Sequence, residues 1–269
     1  MGVLEGKHAL ITGGGSGIGA AIAAALVAEG ARVSLAGRRR APLDETAACV
    51  VACFAEGSRD VPATIVADVT READCIAMAA AAHAANGAID LVIANAGAAE
   101  SAPVSRLDLA HWQRMLDVNL TGAFLTVKAA LPDLLRAADA SANPATRRIV
   151  FVSSTAGVKG YPYVAAYCAA KHGVVGLARA LGAELGPSGI TVNAVCPGFT
   201  ETPMLDASIA NIVGKTGRSE QAARQTLSAG NPQGRFVKPE EVAATVLWLC
   251  LPSSSAINGQ AISVSGGEV

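Results

Sequence analysis

A short apolar run, His8-Ala9-Leu10-Ile11-Thr12, breaks abruptly into Gly13-Gly14-Gly15-Ser16-Gly17-Ile18-Gly19. A segment carrying Ile18, Ile22 and Leu26 on one stripe then runs to Gly30. An unbroken apolar run of this length reads as a buried strand, and the three-to-four spacing after it reads as a helix. Strand, glycine turn and helix in immediate succession constrain the chain severely, because a strand buried on both faces needs helices on both sides. The turn also has a chemical implication. Glycines let the backbone bend sharply and lie close to a pyrophosphate, while unpaired N–H groups at the helix start attract the anion. The spacing is G-x-x-x-G-x-G rather than G-x-G-x-x-G. A glycine-rich turn alone can be a tight loop, but the strand before it and the helix after it favour phosphate binding.

The same alternation repeats along the chain. Strands are expected at about His8–Thr12, Arg32–Ala36, Thr64–Val69, Leu91–Ala94, Ile149–Ser153, Thr191–Val195 and Ala261–Val264, with helical segments between them. This order predicts an α/β fold: a doubly wound parallel seven-stranded sheet flanked by helices, with a ligand crevice at the carboxyl ends of the strands. No Pro/Ser/Gly-rich linker divides the 269 residues, so a single domain over 1–269 is expected. Aromatics make up 4% against an apolar share of 51%, so the core must be built mainly from Ala, Val, Leu and Ile. That suits helices packed closely on a parallel sheet. The segment Ala138-Asp139-Ala140-Ser141-Ala142-Asn143-Pro144 lengthens one connection and reads as an exposed loop remote from chemistry.

Tyr167 and Lys171 stand four apart in Tyr167-Cys168-Ala169-Ala170-Lys171, and so share a helix face. A phenol is a poor acid near neutrality, with an unperturbed pKa of about 10, and a neighbouring ammonium favours the phenolate. Ser154, at the end of Ile149-Val150-Phe151-Val152, is placed to hydrogen-bond a carbonyl or alkoxide oxygen beside that phenol. A tyrosine and a lysine at this spacing are usually a surface pair, so the motif decides little by itself. Asn119, in Asp117-Val118-Asn119-Leu120, falls inside an expected helix. Asn is a poor helix former that competes for backbone bonds, which indicates either a role in the site or a local kink.

Thr12-Gly13-x-x-x-Gly17-x-Gly19, Asn95-Ala96-Gly97, Asn119, Ser154, Tyr167-x-x-x-Lys171 and Pro197-Gly198 follow one another as in the short-chain dehydrogenase/reductase family. The chain resembles that family from Lys7 to Gly267. The resemblance implies a Rossmann-type fold and interconversion of a secondary alcohol and a ketone by hydride transfer with a nicotinamide cofactor. It implies that Tyr167 is the acid/base, that Ser154 steadies the substrate oxygen, and that Lys171 lowers the pKa of Tyr167 and holds the nicotinamide ribose. Asn119 would hold a water linking Lys171 to solvent. Cofactor contacts are implied for Gly13, Ser16, Gly17, Ile18 and Gly19 in the turn, and for Asp68 and Val69 at the adenine. Asn95, Ala96 and Gly97 would pass beside the adenine ribose, with Asn95 open between a ligand contact and a turn cap. Pro197 and Gly198 would line the nicotinamide. Thr202, with Thr200 as competitor, would lie near the carboxamide or pyrophosphate.

Cofactor choice turns on Ala36-Gly37-Arg38-Arg39-Arg40 at the end of the second strand. NAD-selective sites usually place a carboxylate there to hold both ribose hydroxyls, and none is present. Gly37 leaves space and Arg38 supplies a guanidinium able to grip a 2′-phosphate. NADP is the expected cofactor and NAD the alternative, since Ser16 occupies a position where many NADP-preferring relatives carry a second basic residue. Arg39 and Arg40 read as a solvated helix start.

Residues 203–234 are expected to form a lid. Its Leu205, Ile209, Ile212 and Val213 suit either an apolar substrate or packing on the core. The stretches 195–204 and 234–242 resemble those of aromatic-polyketide ketoreductases and 3-oxoacyl thioester reductases, implying a 3-hydroxyacyl/3-oxoacyl thioester or similar apolar substrate. Alternatives are a simple alcohol, a cyclic ketone or a steroid, and, in another class, a dinucleotide-binding regulator without chemistry. An extended sugar-nucleotide epimerase would need a second substrate domain, for which the chain is expected to end too early.

Formal net charge is −1 with no basic stripe, which argues against nucleic acid and anionic membranes. No apolar run approaches a membrane span and no signal peptide is read, so the cytoplasm is the expected location. Cys49, Cys53, Cys75, Cys168, Cys196 and Cys250 are dispersed and read as small core residues, with no metal site. Family resemblance implies a homotetramer built through helices around Asp108–Leu131 and Tyr163–Leu185 and the last strand. Ala165, Ala166, Ala169 and Ala170 would permit close helix packing between subunits or within one, the intrasubunit version being the default.

Overall fold

The structure, a computed structural model, describes residues 2–53, 61–136 and 147–269. The connection at Ala138–Pro144 lies outside the described residues. Seven strands, β1 (His8–Thr12), β2 (Arg32–Gly37), β3 (Ala63–Val66), β4 (Leu91–Ala94), β5 (Arg147–Val152), β6 (Ile190–Pro197) and β7 (Ala261–Val264), form one sheet. Their order is β3-β2-β1-β4-β5-β6-β7 and every pair is parallel. The winding reverses between β1 and β4, which opens a crevice at the carboxyl ends of those strands.

The helices are α1 (Gly17–Ala28), α2 (Arg40–Ala52), α3 (Glu72–Asn86), α4 (Leu109–Leu116), α5 (Gly122–Arg136), α6 (Ala165–Leu185), α7 (Pro203–Thr216), α8 (Glu220–Ser228) and α9 (Pro239–Cys250). Strand side chains alternate between two cores. Leu10, Val92, Ala94, Ile149 and Phe151 pack with Met78, Leu125, Leu134, Val174 and Ala178 of α3, α5 and α6. Ala9, Ile11, Leu91, Ile93, Val150 and Val152 pack with Ile22, Leu26, Leu43, Val246 and Leu249 of α1, α2 and α9. Helices on both faces explain why β1, β4, β5 and β6 are buried along their whole length.

Three elements depart from the sequence reading. β3 stops at Val66, short of the expected Val69, because Asp68 leaves the ladder: its Oδ1 accepts from the Thr70 amide and hydroxyl, and its own amide donates to Asp74 Oδ2. The helix expected over Asp108–Leu131 is interrupted by a π turn at Asp117–Thr121. α6 begins at Ala165 rather than Tyr163, which holds a left-handed φ of 69°. The cysteine reading holds in part. Cys75, Cys196 and Cys250 are buried, but Cys49 on α2 and Cys53 at its C-cap are exposed. No described helix is long and apolar enough to cross a membrane. The described residues contain no group of three or more His, Cys, Asp or Glu that could hold a metal.

Candidate active site

A cleft runs along the carboxyl ends of β1, β2, β4 and β5. Gly13, Ser16, Gly17 and Ile18 line its middle; Gly37, Arg38, Arg39, Pro42, Leu43, Asp68 and Val69 line one end; Asn119, Ser153, Tyr167, Lys171, Thr202 and Met204 line the other. Asn95, Ala96, Gly97, Ala98, Val118, Val152 and Pro203 also contribute to the wall.

The glycine turn is shaped by close approaches. Gly13 and Gly17 hold φ of 67° and 53°, which L side chains rarely adopt. A Cβ on Gly13 would lie 2.8 Å from Asn95 Nδ2, and one on Gly17 would lie 2.9 Å from the Thr202 methyl. Gly19 does not line the cleft. A Cβ there would collide with the Gly13 carbonyl, so it is the residue that lets α1 approach the turn. Ser16 precedes α1 and makes no side-chain cap, so its hydroxyl and the first N–H groups of α1 face a cleft suited to an anion.

Asn95 lines the cleft and also ties the turn together. Its Nδ2 donates to the Thr12 and Gly13 carbonyls at 3.0 and 3.2 Å, while Thr12 Oγ1 accepts from the amides of Asn95 and Ala96. β1 and β4 are thereby stitched together directly beneath the cleft.

Just beyond the carboxyl end of β2, Arg38 and Arg39 are exposed and both line the cleft, with no ion-pair partner for either among the described residues. Arg39 is the exposed N-cap of α2, a solvated helix start as the sequence predicts, and it lines the cleft as well. Arg40 is the structural one, donating to the Thr64 carbonyl and hydroxyl. The Thr70 amide donating to Asp68, with the Thr70 hydroxyl and the charge of Arg38 adding to it, holds that carboxyl below its usual range. This end of the cleft has two free cations and a committed anion.

Tyr167 and Lys171 face the cleft from α6. Lys171 Nζ lies 5.6 Å from the Tyr167 ring centroid and donates to the Val152 carbonyl at 2.9 Å. Burial pulls the ammonium down to about 8. Burial also pushes the phenol up to about 12, against which its hydrogen bond with Ser154 acts. The expected lowering of Tyr167 by Lys171 is not found: desolvation dominates, and the hydrogen bond with Ser154 is what opposes it. Ser154 does not line the cleft itself; its Oγ accepts from the Ala156 amide at 3.1 Å, which fixes the hydroxyl next to the phenol. Ser153, which the sequence reading passed over, lines the cleft and donates to the Lys171 carbonyl at 3.1 Å, tying β5 to α6. Two adjacent hydroxyls at a strand end were the available signal.

Asn119 sits in the π turn. Its Nδ2 donates to the carbonyls of Ala98 and Met115, and its Oδ1 accepts from the Ala98 amide. The side chain is spent on the backbone: the π turn points Asn119 inward, where it clamps the segment after β4. A Cβ at Gly97 would lie 2.8 Å from that Oδ1 and 3.6 Å from Lys171 Nζ, which requires glycine room there.

A model of the short chain dehydrogenase family matches residues 7–212. The chain belongs to that family. As a short chain dehydrogenase it is an oxidoreductase, which replaces the alternative of a regulator without chemistry. Among curated relatives, the protein assigned as ketoacyl reductase 1 of the granaticin polyketide synthase of Streptomyces violaceoruber is 40% identical over 96% of this chain and 92% of its own. The 2-(S)-hydroxypropyl-CoM dehydrogenase 3 of Xanthobacter autotrophicus is 38% identical over 98% and 97%. The D-beta-hydroxybutyrate dehydrogenase of Cupriavidus necator is 33% identical over 99% of both. Among solved structures, a variant of actinorhodin polyketide ketoreductase with NADPH superposes with a TM-score of 0.90 at 35% identity, covering 100% of this chain and 99% of its own.

The remaining residues of this short chain dehydrogenase divide around Thr202. Thr202 lines the cleft and caps α7, its Oγ1 accepting from the Leu205 amide. Thr200 is buried with its hydroxyl on the Gly198 carbonyl, and neither it nor Pro197 nor Gly198 lines the cleft. The lid's apolar residues are also placed differently from an outward substrate wall. Leu205 and Ile209 are buried with Ala223, and Ile212, Val213, Phe199, Leu227 and Phe236 pack around them as a small separate core. Of the lid, Pro203 and Met204 reach the cleft.

Proposed function

We propose that this short chain dehydrogenase reduces 3-oxoacyl thioesters, or oxidises the matching 3-hydroxyacyl thioesters, with NADP as cofactor. The observation that carries this reading is one cleft lined at one end by Lys171 and by Tyr167, to which Ser154 is hydrogen-bonded, and at the other by the unpaired Arg38 and Arg39. Relatives named for ketoacyl reduction and β-hydroxybutyrate oxidation support a carbonyl at the 3-position. The neighbour solved with NADPH supports the cofactor.

The glycine turn and the start of α1 would hold the pyrophosphate, Asp68 and Val69 the adenine, Arg38 and Arg39 the 2′-phosphate, and Lys171 and Thr202 the nicotinamide half. When bound, the nicotinamide supplies the hydride that the substrate carbon accepts. Tyr167, protonated at neutral pH, gives its proton to the substrate oxygen as charge develops there, and Ser154 hydrogen-bonds the same oxygen. The Lys171 ammonium offsets the negative charge left on the phenol. Asn119, through Ala98, keeps the facing wall in place. Met204 and the lid in front of it would cover the substrate, within a single domain over 1–269.

The test is NADPH and NADH oxidation against a panel of ketones and β-keto thioesters. Tyr167→Phe is expected to lose at least roughly a hundredfold in kcat, the scale of a removed general acid. A variant retaining most of the rate would assign the proton donor elsewhere. A second reading, a dehydrogenase of smaller secondary alcohols, is favoured by the hydroxypropyl-CoM relative. Turnover of such alcohols with none of any β-keto thioester would select it. The assembly is proposed as a homotetramer in the cytoplasm. Val104 and Leu109, 79% and 78% exposed, with Phe124 and Leu135 give the region around α4 and α5 an apolar surface that subunit contact would cover. Light scattering measures the number of subunits.

A further inference from the structure

One buried carboxylate has no part in the reading above. Glu268, beyond β7, has a side chain 4% exposed whose Oε1 pairs with Lys159 Nζ at 3.0 Å and lies 2.7 Å from the Tyr161 hydroxyl. That hydroxyl also lies 2.7 Å from Thr155 Oγ1. A phenol has one hydrogen and a carboxylate only accepts, so Tyr161 donates to Glu268 and Thr155 donates to Tyr161. Burial pushes the Tyr161 phenol up, so it keeps the proton it donates. Thr155 directly follows Ser154 in the chain. A hydrogen-bonded line thus runs from the residue beside Ser154, through Tyr161, to Glu268 and its ammonium partner.

The same carboxylate touches two further segments. A Cβ on Gly230 would lie 2.9 Å from Oε1, and one on Gly198 would lie 3.3 Å from Oε2. Gly198 leads into Phe199, whose ring meets the Tyr161 ring edge-on with centroids 6.2 Å apart. Gly230 follows α8 at the end of the lid, where Asn231 packs under Gly266. Lys159 Nζ lies 4.8 Å from the Tyr161 centroid, adding a cation–π contact on the same ring. Three segments, after β5, after β6 and after α8, therefore meet at one carboxylate. The pair is half-buried, its lysine 36% exposed, and adds little net stability, but its directional bonds fix how the segments meet.

We propose that Glu268 is a positioning residue for this reaction: by holding Tyr161 and Lys159 against Gly198 and Gly230, it sets the substrate-facing side of the site next to Ser154. The proposal rests on reading the cleft as a carbonyl-reducing site. In the full chain, Glu268→Gln keeps the shape and an acceptor for Tyr161 while removing the charge that holds Lys159, and Tyr161→Phe removes the donor. With 3-oxobutanoyl-CoA and NADPH, each variant is expected to raise KM roughly tenfold, with a smaller change in kcat, the scale of a misplaced substrate. The double variant is expected to be no worse than the worse single one, because both break one line of contacts. The dissociation constant for NADPH, read by fluorescence, is expected to stay unchanged. Unchanged KM in both single variants, additive losses in the double, or a lower melting temperature with unaltered kinetics would each overturn the proposal. If the wild-type chain turns over no carbonyl compound, the ketoreductase reading fails, and amide exchange then decides on Glu268 separately. Glu268→Gln should speed exchange at 199–204 and 230–236 and leave 8–28 as in the wild type; equal exchange would overturn it.

Discussion

Burial that holds Lys171 beside the Tyr167 ring also makes its charge easy to lose. With the ammonium pulled down to about 8, kcat/KM in the reducing direction is expected to fall along a basic limb centred near pH 8, since that ratio reports groups of the free enzyme. Lys171→Arg, which stays charged, should move the limb out of the range; a limb that stays in place would assign it to another group. His8 shows the same physics without the chemistry. Its ring bridges the Gly87 carbonyl and Ser34 Oγ, and burial, against the pull of the Gly87 bond, lowers its pKa from 6.5. A histidine whose folded value lies below its unfolded value contributes stability that is whole above about 6.5 and drains as pH falls through the window beneath it. The melting temperature of the wild type should therefore decline more steeply below that pH than that of His8→Gln; parallel curves would sink the idea. Residues of the first kind were legible in the chain as written, because Tyr167, Lys171 and Ser154 are set by spacing and by a strand end. Glu268 was not. A glutamate beyond the last strand has no local pattern that joins it to Tyr161.

Elements were read well where a single period dominated and poorly where a side chain overrode it. β1 and β4 have the expected boundaries because apolar runs covered on both faces leave little choice. β3 ends early because Asp68 prefers its own turn to the ladder, a short-range competition that composition does not reveal. The π turn around Asn119 shows only as an awkward residue in a helical run, while its cause, the clamp on Ala98, is a tertiary contact. Another override stabilises α9. Arg148 is fully buried, facing that helix from β5, and its guanidinium donates to the carbonyls of Leu249 and Leu251 at the helix end. Helix C-termini leave carbonyls without partners, and a cation there offsets the dipole. Arg148→Met would keep the bulk and orphan those carbonyls, so a loss of at least about 2 kcal/mol is expected from denaturant unfolding. A loss well below that would mean the carbonyls find other partners.

Across the whole molecule, the cleft is where the sheet's winding reverses, so ligand and fold are coupled: glycine turn, β2 end and α6 are held apart by strands that share one ladder. A cofactor spanning them stabilises the folded state in proportion to the logarithm of its concentration over Kd. At a hundredfold excess over Kd the gain is about 2.7 kcal/mol. For a chain of this size that corresponds to a rise in melting temperature of roughly 5–10 °C. The two dinucleotides differ in the phosphate that Arg38 and Arg39 are placed to meet. At equal concentration NADPH should therefore raise the melting temperature more than NADH. Arg38→Ser with Arg39→Ala should abolish most of that difference by weakening NADPH alone, since a charge-assisted contact is worth about 1.5–3 kcal/mol. The measurement needs no substrate, so it judges the cofactor end of the cleft separately from the chemistry at Tyr167. Equal shifts with the two cofactors in the wild type would show that the arginines stack on or screen the adenosine half without selecting the phosphate, and NAD would become the better assignment.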